Sequence, residues 1–142
     1  MNKRVAHVAS IAALVLALLL APAALAAKGR GGGAGGSVTG SLSHKMVTDR
    51  NGDGLPNWND EVTFNVTSSA SRPMVNLRCY QGSTMVDNQT VGFYVGWPWS
   101  KVFPLSDWYM WPSGGADCTA TLYYQTRKGN VTLGTHSFRV YD

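Results

Sequence analysis

Cys79 and Cys118 are the two cysteines of the chain, and each lies in a short run that alternates apolar and polar residues. In MVNLRCYQ, Met74 to Gln81, Val75, Leu77 and Cys79 share one face while Asn76, Arg78 and Tyr80 take the other. In ADCTATLYYQ, Ala116 to Gln125, Cys118, Ala120 and Leu122 alternate with Thr119, Thr121 and Tyr123. A period of two is the signature of a half-buried strand, so both sulfurs fall on the apolar side. In an exported chain two such cysteines are expected to form one disulfide, Cys79 to Cys118. A bridge between two strands with inward apolar faces points to a β-sandwich pinned by a disulfide.

Export is read from the start of the sequence. Asn2, Lys3 and Arg4 give a positive end, Ile11 to Ala21 is an unbroken apolar run, and Pro22 precedes Ala24-Leu25-Ala26. This is the pattern of a signal peptide, with cleavage expected after Ala26. The apolar run is shorter than a membrane-spanning helix requires, and no later segment is apolar enough to span, so no membrane span is expected in the mature chain. Residues 27–36 are glycine-rich and are expected to form a flexible spacer. The domain is placed at 37–142.

Within that domain the strand pattern recurs. Val38, Leu42 and Met46 occupy even positions between polar residues, and Val62, Phe64 and Val66 alternate with Thr63, Asn65 and Thr67. Gly82-Ser83 predicts a hairpin into Thr84 to Asn88, and QTVGFYVGW reads as a further strand weakened by Gly92. Lys101 to Leu105 reads as a short strand that Pro104 places at an edge or a strand end. Arg127 to Asn130 turns the second cysteine strand into VTLGTHSFRVY, with a bulge expected at Gly134. No helical period follows the leader. About seven or eight antiparallel strands with turn signals between them predict a single β-sandwich.

Asp60-Glu61-Val62-Thr63-Phe64-Asn65-Val66, a polar turn opening into a V-T-F-x-V strand, resembles the start of the second strand in immunoglobulin-like domains of bacterial secreted proteins. The resemblance covers Ser37 to Asp142 and implies an immunoglobulin-like β-sandwich serving as a binding, adhesive or structural module. The chain departs from the antibody pattern: its cysteines are closer in sequence and Trp97 comes late after the first of them. The departure opens a second arrangement beside the pinning of two sheets face to face: a bridge that joins neighbouring strands.

DRNGDGLPNWND, Asp49 to Asp60, carries oxygen-bearing side chains at its first, third, fifth and twelfth positions: Asp49, Asn51, Asp53 and Asp60. Gly54 supplies the sharp turn at the sixth and Leu55 a carbonyl at the seventh. A hard cation needs such spacing, because alternating short side chains wrap several oxygens around one point. The stretch resembles the calcium loops of dockerin and thrombospondin type-3 repeats, which implies calcium as a cofactor. The same residues also make an ordinary inter-strand turn, and both readings stand at this level.

Trp97, Trp99, Trp108 and Trp111, four of the five tryptophans, lie close together beside Tyr94 and Tyr109. Rigid amphipathic rings on loops suit a sugar or a protein partner, and equally a cap on the open end of a core. Tyr80 and Tyr123, both outward by parity, extend this to a flat aromatic patch if the cysteine strands are neighbours.

Other classes have little support. The net charge of +4 falls to +2 once Lys3 and Arg4 leave with the leader, and no basic block remains for nucleic acid. His44 and His136 each sit in a strand pattern, Glu61 is the lone glutamate, and no G-x-S-x-G elbow is present, so no catalytic residue is assigned. The expected function is a secreted, non-catalytic module working through protein contacts at the cell surface or in the medium. The alternative is a carbohydrate-binding module using the Trp97 to Trp111 cluster on a polysaccharide, and a small hydrolase comes third.

Overall fold

The computed structural model describes residues 37–107 and 109–142; the predicted leader, the glycine-rich spacer and Trp108 lie outside the described residues. Seven strands are formed: β1 (Gly40–Thr48), β2 (Glu61–Ser68), β3 (Met74–Gln81), β4 (Thr84–Gly92), β5 (Phe103–Pro104), β6 (Ala116–Thr126) and β7 (Gly129–Val140). All the strand pairings are antiparallel, in two sheets with orders β1-β2-β5 and β4-β3-β6-β7. No helix occurs among the described residues, and none there is long and apolar enough to cross a membrane.

The alternation seen in the sequence decides which side chains meet. Val62 and Phe64 from β2 and Phe103 from β5 face Val75, Leu77, Ala120, Leu122 and Val140 of the larger sheet, all buried in one core. Leu105 and Trp111 close the core from the connections, and Ala116 does so from the start of β6. Burying a side chain such as Leu77 is worth about 1.5 to 3 kcal/mol, and truncating it to alanine would cost about 2 to 5 kcal/mol once the cavity is included.

Cys79 and Cys118 are register partners on the adjacent strands β3 and β6 and form the disulfide, with a Cα separation of 4.0 Å. This is near the short spacing of a non-hydrogen-bonded antiparallel pair, where side chains approach most closely. The bridge therefore ties the two central strands of one sheet, beneath that sheet and inside the core. In the chain-entropy account, closing a loop with a sequence separation of 39 contributes about 4 kcal/mol.

Two strand expectations are corrected. Thr84 to Asn88 and the stretch beginning at Gln89 are one strand, β4, paired with β3 from Gln81↔Thr84 to Met74↔Gly92. Asn88-Gln89 has no glycine or proline to turn the chain, so the ladder runs on; a bulge at Val86 takes up the register. The strand stops at Gly92, where the rings of Trp97 and Tyr94 fill the space a Cβ would need. The Lys101 to Leu105 strand contracts to Phe103–Pro104 at the edge of the smaller sheet, because Pro104 has no N–H to extend the ladder. The bulge in β7 falls beside Gly134, where Leu122 pairs with Gly134 and Tyr123 with Thr132.

Candidate functional site

The outward face of the four-stranded sheet carries a groove of about 320 Å³ lined by Asn76, Arg78, Asn88, Thr90, Thr121, Tyr123, Asn130 and Thr132. Each lining residue is outward by strand parity, two from each of β3, β4, β6 and β7. Register places Asn76 between Thr90 and Thr121, and Arg78 between Asn88 and Thr119. The Asn76 Nδ2 group donates toward Asn88 Oδ1 at 2.8 Å, Thr90 Oγ1 at 3.0 Å and the Gln89 carbonyl at 3.0 Å, which fixes the β3 to β4 side of the groove. Arg78 is exposed and, among the described residues, its guanidinium has no ion pair or hydrogen bond. No carboxylate lines the groove. The ion pair on this face, Arg139 with Asp117 at 2.6 Å, is made by residues outside that lining.

The sequence showed Asn76, Arg78, Thr121 and Tyr123 as outward but singled out only Tyr123, and that for an aromatic patch with Tyr80. The signal was present in the composition of the rows: amide, hydroxyl and guanidinium groups, with Asp117 at the start of β6 as the acid among them. Tyr80 and Tyr123 do not form one patch although their strands are neighbours. Tyr80 pairs with Asp117 and Tyr123 with Met74, which sets the two rings roughly 20 Å apart along the strands.

The tryptophan group divides. Trp111 is fully buried, its Nε1 donates to the Gly114 carbonyl at 2.7 Å, and its own carbonyl accepts from Trp58 Nε1 at 3.1 Å. A ring with no exposed face has none to offer a sugar, so Trp111 belongs to the core. Trp97 is half-buried against the core, and its Nε1 is buried without a partner among the described residues. Tyr94 meets Trp97 edge-on at 5.6 Å, and Trp97 meets Trp99 at 4.7 Å with an interplanar angle of 72°. Those rings make a corner, not a flat platform. Trp99 and Tyr109 are exposed, at 69% and 89%. A second concavity, about 500 Å³, lies between Trp58, Asn59, Asp107, Trp111 and Pro112.

In the Asp49 to Asp60 loop, Gly52 and Gly54 take left-handed φ angles of 75° and 76°, which lets the chain reverse around Asp49. The Asp49 carboxylate accepts the amides of Gly52 and Gly54, both at 2.8 Å. Asn51 Oδ1 accepts the Asp53 amide at 3.2 Å, and Asp53 Oδ1 accepts the Leu55 amide at 2.8 Å. Asp60 is 1% exposed and accepts the amides of Arg50 and Asn57, both at 2.9 Å. Both carboxylate oxygens of Asp53 and the Leu55 carbonyl converge on the Asn57 side-chain amide at 3.0 to 3.1 Å. The Leu55 amide, with those of Asn57 and Asn51, holds the Asp53 carboxyl below its ordinary pKa. The structure thus brings Asp53, Leu55 and Asn57 to one point, while Asp49 and Asp60 spend their oxygens on backbone amides. Among the described residues no three carboxylate, imidazole or thiol groups gather at a point suited to a metal.

His44 and His136 meet across the two sheets. Nδ1 of His44 is 2.8 Å from Nε2 of His136, and Phe138 stacks on His44 at 4.9 Å. Asp87 is the other unusual titratable group: it is buried opposite Cys79, it accepts from Gln89 Nε2 at 2.6 Å, and burial pushes its carboxyl up to about 6.

Comparison with protein families, with characterised proteins and with solved structures finds no match to this chain.

Proposed function

We propose that the domain is a secreted, non-catalytic binding module of the immunoglobulin-like type, and that it takes a carbohydrate on the outer face of its four-stranded sheet. The groove there is the observation that carries this reading. Its eight polar lining residues all stand on strands, and the two central strands are joined by the disulfide on the opposite side of the sheet, next to the Arg78 end of the groove. Such a surface is pre-organised, so a ligand does not have to order it on binding. The strand order β1-β2-β5 against β4-β3-β6-β7 fits an immunoglobulin-like sandwich whose fourth strand extends the second sheet. The non-catalytic reading is supported by the two described histidines, which bond each other beside Phe138 instead of a serine and a carboxylate.

The preference for the groove over the tryptophan cluster follows from the burial of Trp111 and the right-angled corner at Trp97 and Trp99. A second reading, docking of a protein partner, is favoured by Val95, Trp99, Tyr109 and Met110, apolar side chains exposed on the connections around β5. Calcium is the proposed cofactor of the loop: the Asp53 and Leu55 oxygens converge on the Asn57 side-chain amide, and a cation taking the place of that NH2 group, with the amide turned to offer its oxygen, would strengthen the loop.

A screen of the purified chain against soluble polysaccharides tests the assignment. Retention by at least one polysaccharide is expected, weakened about fivefold to tenfold by Asn76→Ala or Tyr123→Ala and unchanged by Trp99→Ala. If Trp99→Ala removes binding and the groove variants do not, the site has been misassigned. Retention by no polysaccharide in the screen would leave the protein-docking reading in its place.

A further inference from the structure

We propose that the groove selects an acidic polysaccharide, pairing a uronate carboxylate with Arg78; this rests on the reading of the groove as a carbohydrate site.

The groove lacks a counter-charge. Arg78 stands at one end of the groove with register partners Asn88 and Thr119, neither of which carries charge. Its five N–H donors have no acceptor among the described residues, and the groove lining contains no carboxylate to neutralise it. The other side-chain donors of the groove lining are neutral amide and hydroxyl groups. Charge complementarity therefore asks for one anionic group surrounded by hydroxyls. A planar guanidinium fork matches a carboxylate through two parallel hydrogen bonds.

The occupant is a glycan and not a peptide because of the lining. None of its eight residues is aliphatic, and Tyr123 is the only aromatic one. A protein partner draws most of its affinity from a cluster of buried aromatic and aliphatic anchors, and this groove offers a single ring, Tyr123. Pyranose rings need the opposite: amides and hydroxyls in fixed positions, with one ring face for their C–H groups. Asn76 is held by three acceptors, so its Oδ1 is aimed by the sheet and does not search for a conformation. A nucleic acid would need several phosphate contacts along a basic track, and Arg78 is the one cation lining the groove.

Affinity electrophoresis of the purified chain tests the proposal, with polygalacturonate, alginate or hyaluronan in the gel and fully methyl-esterified galacturonan as the uncharged counterpart. Polyglutamate supplies the same charge without sugar hydroxyls. The expected result is retention by at least one acidic polysaccharide, weakened about tenfold or more by Arg78→Gln and partly restored in Arg78→Lys. Lys128→Gln, a change at an exposed turn, leaves retention unaltered. Equal retention by esterified and acidic galacturonan, or no effect of Arg78→Gln, overturns the carboxylate assignment while leaving the groove as a neutral-sugar site. Equal retention by polyglutamate, or equal weakening by Lys128→Gln, reduces the effect to unspecific charge and overturns it as well. Absence of retention by every acidic and neutral polysaccharide defeats the carbohydrate reading itself. Arg78 is solvent-exposed, so its variants are expected to fold, and an unchanged melting midpoint confirms it.

Discussion

Nδ1 of His44, on the edge strand β1 of one sheet, lies 2.8 Å from Nε2 of His136, on the edge strand β7 of the other. Such a bond needs one ring N–H and one bare nitrogen, so it cannot survive protonation of both imidazoles. Burial, and then the proximity of His136, hold the His44 pKa below its ordinary 6.5. The groups facing the pair are apolar: Phe64 and Ala120 are the register partners, and Phe138 stacks on His44. A depressed histidine pKa means that the contribution to stability is present above about 6.5 and lost as pH falls. The melting midpoint of the wild type is expected to drop between pH 7 and pH 5 relative to His44→Phe, which lacks this titration. Parallel pH curves for the two proteins would refute the role of the pair.

Asp87 has the opposite sign. It is 6% exposed, and its burial raises the carboxyl from 3.8 to about 6 against the lowering effect of hydrogen bonds from Gln89 and Asn88. A raised carboxyl pKa gives stability that is complete below about 3.8 and is lost as pH rises through about 6. Asp87→Asn keeps the size and an acceptor for Gln89 but never ionises. It is expected to be more stable than wild type by on the order of 2 kcal/mol at pH 8 and equal to it near pH 4. Urea midpoints at the two pH values measure the difference.

Gly92 ends β4 because aromatic rings occupy its side-chain position. A Cβ there would lie 2.7 Å from Tyr94 Cε1 and nearer still to the Trp97 ring. Gly92→Ala must displace the Trp97 corner from the core, a cost of about 1 to 3 kcal/mol of overpacking. A lower denaturation midpoint with a shifted tryptophan emission is expected. An unchanged midpoint would show that the rings move aside freely.

Calcium is expected to raise the melting midpoint of the purified chain, and a chelator to reverse the rise, because a ligand of the folded state alone stabilises it. Asp53→Ala removes both converging carboxylate oxygens and should abolish the calcium response, while Asp117→Ala, on the outer face of β6, should leave it intact. A midpoint insensitive to both calcium and chelator would assign the loop to the structural turn.

The parts that the sequence made legible share one property: they are local. The alternation around Cys79 and Cys118 marked both sulfurs as inward, and the Asp49 to Asp60 loop was visible from its spacing. The even row of β1 already held His44 between Leu42 and Met46, though its partner lies 92 residues away in sequence and carried no mark of the pairing. The tryptophans misled because closeness along the chain says nothing of depth: Trp111 is wholly buried and Trp99 is 69% exposed. The groove escaped notice because its lining comes from four strands whose order no local pattern records.

By itself the amino-acid sequence determined which side of each ribbon is oily, because a strand's period of two is set by backbone geometry within a few residues. It determined the cysteine pairing as well, since a chain with two inward sulfurs has one way to join them. Only the tertiary structure decided that β3 and β6 lie side by side, that Arg78 stands in a groove without acid, and that two histidines meet across the sheets. Those facts depend on which ordering of strands buries the apolar faces at the least cost in loop closure, a balance struck over the whole chain and written in no single stretch of it.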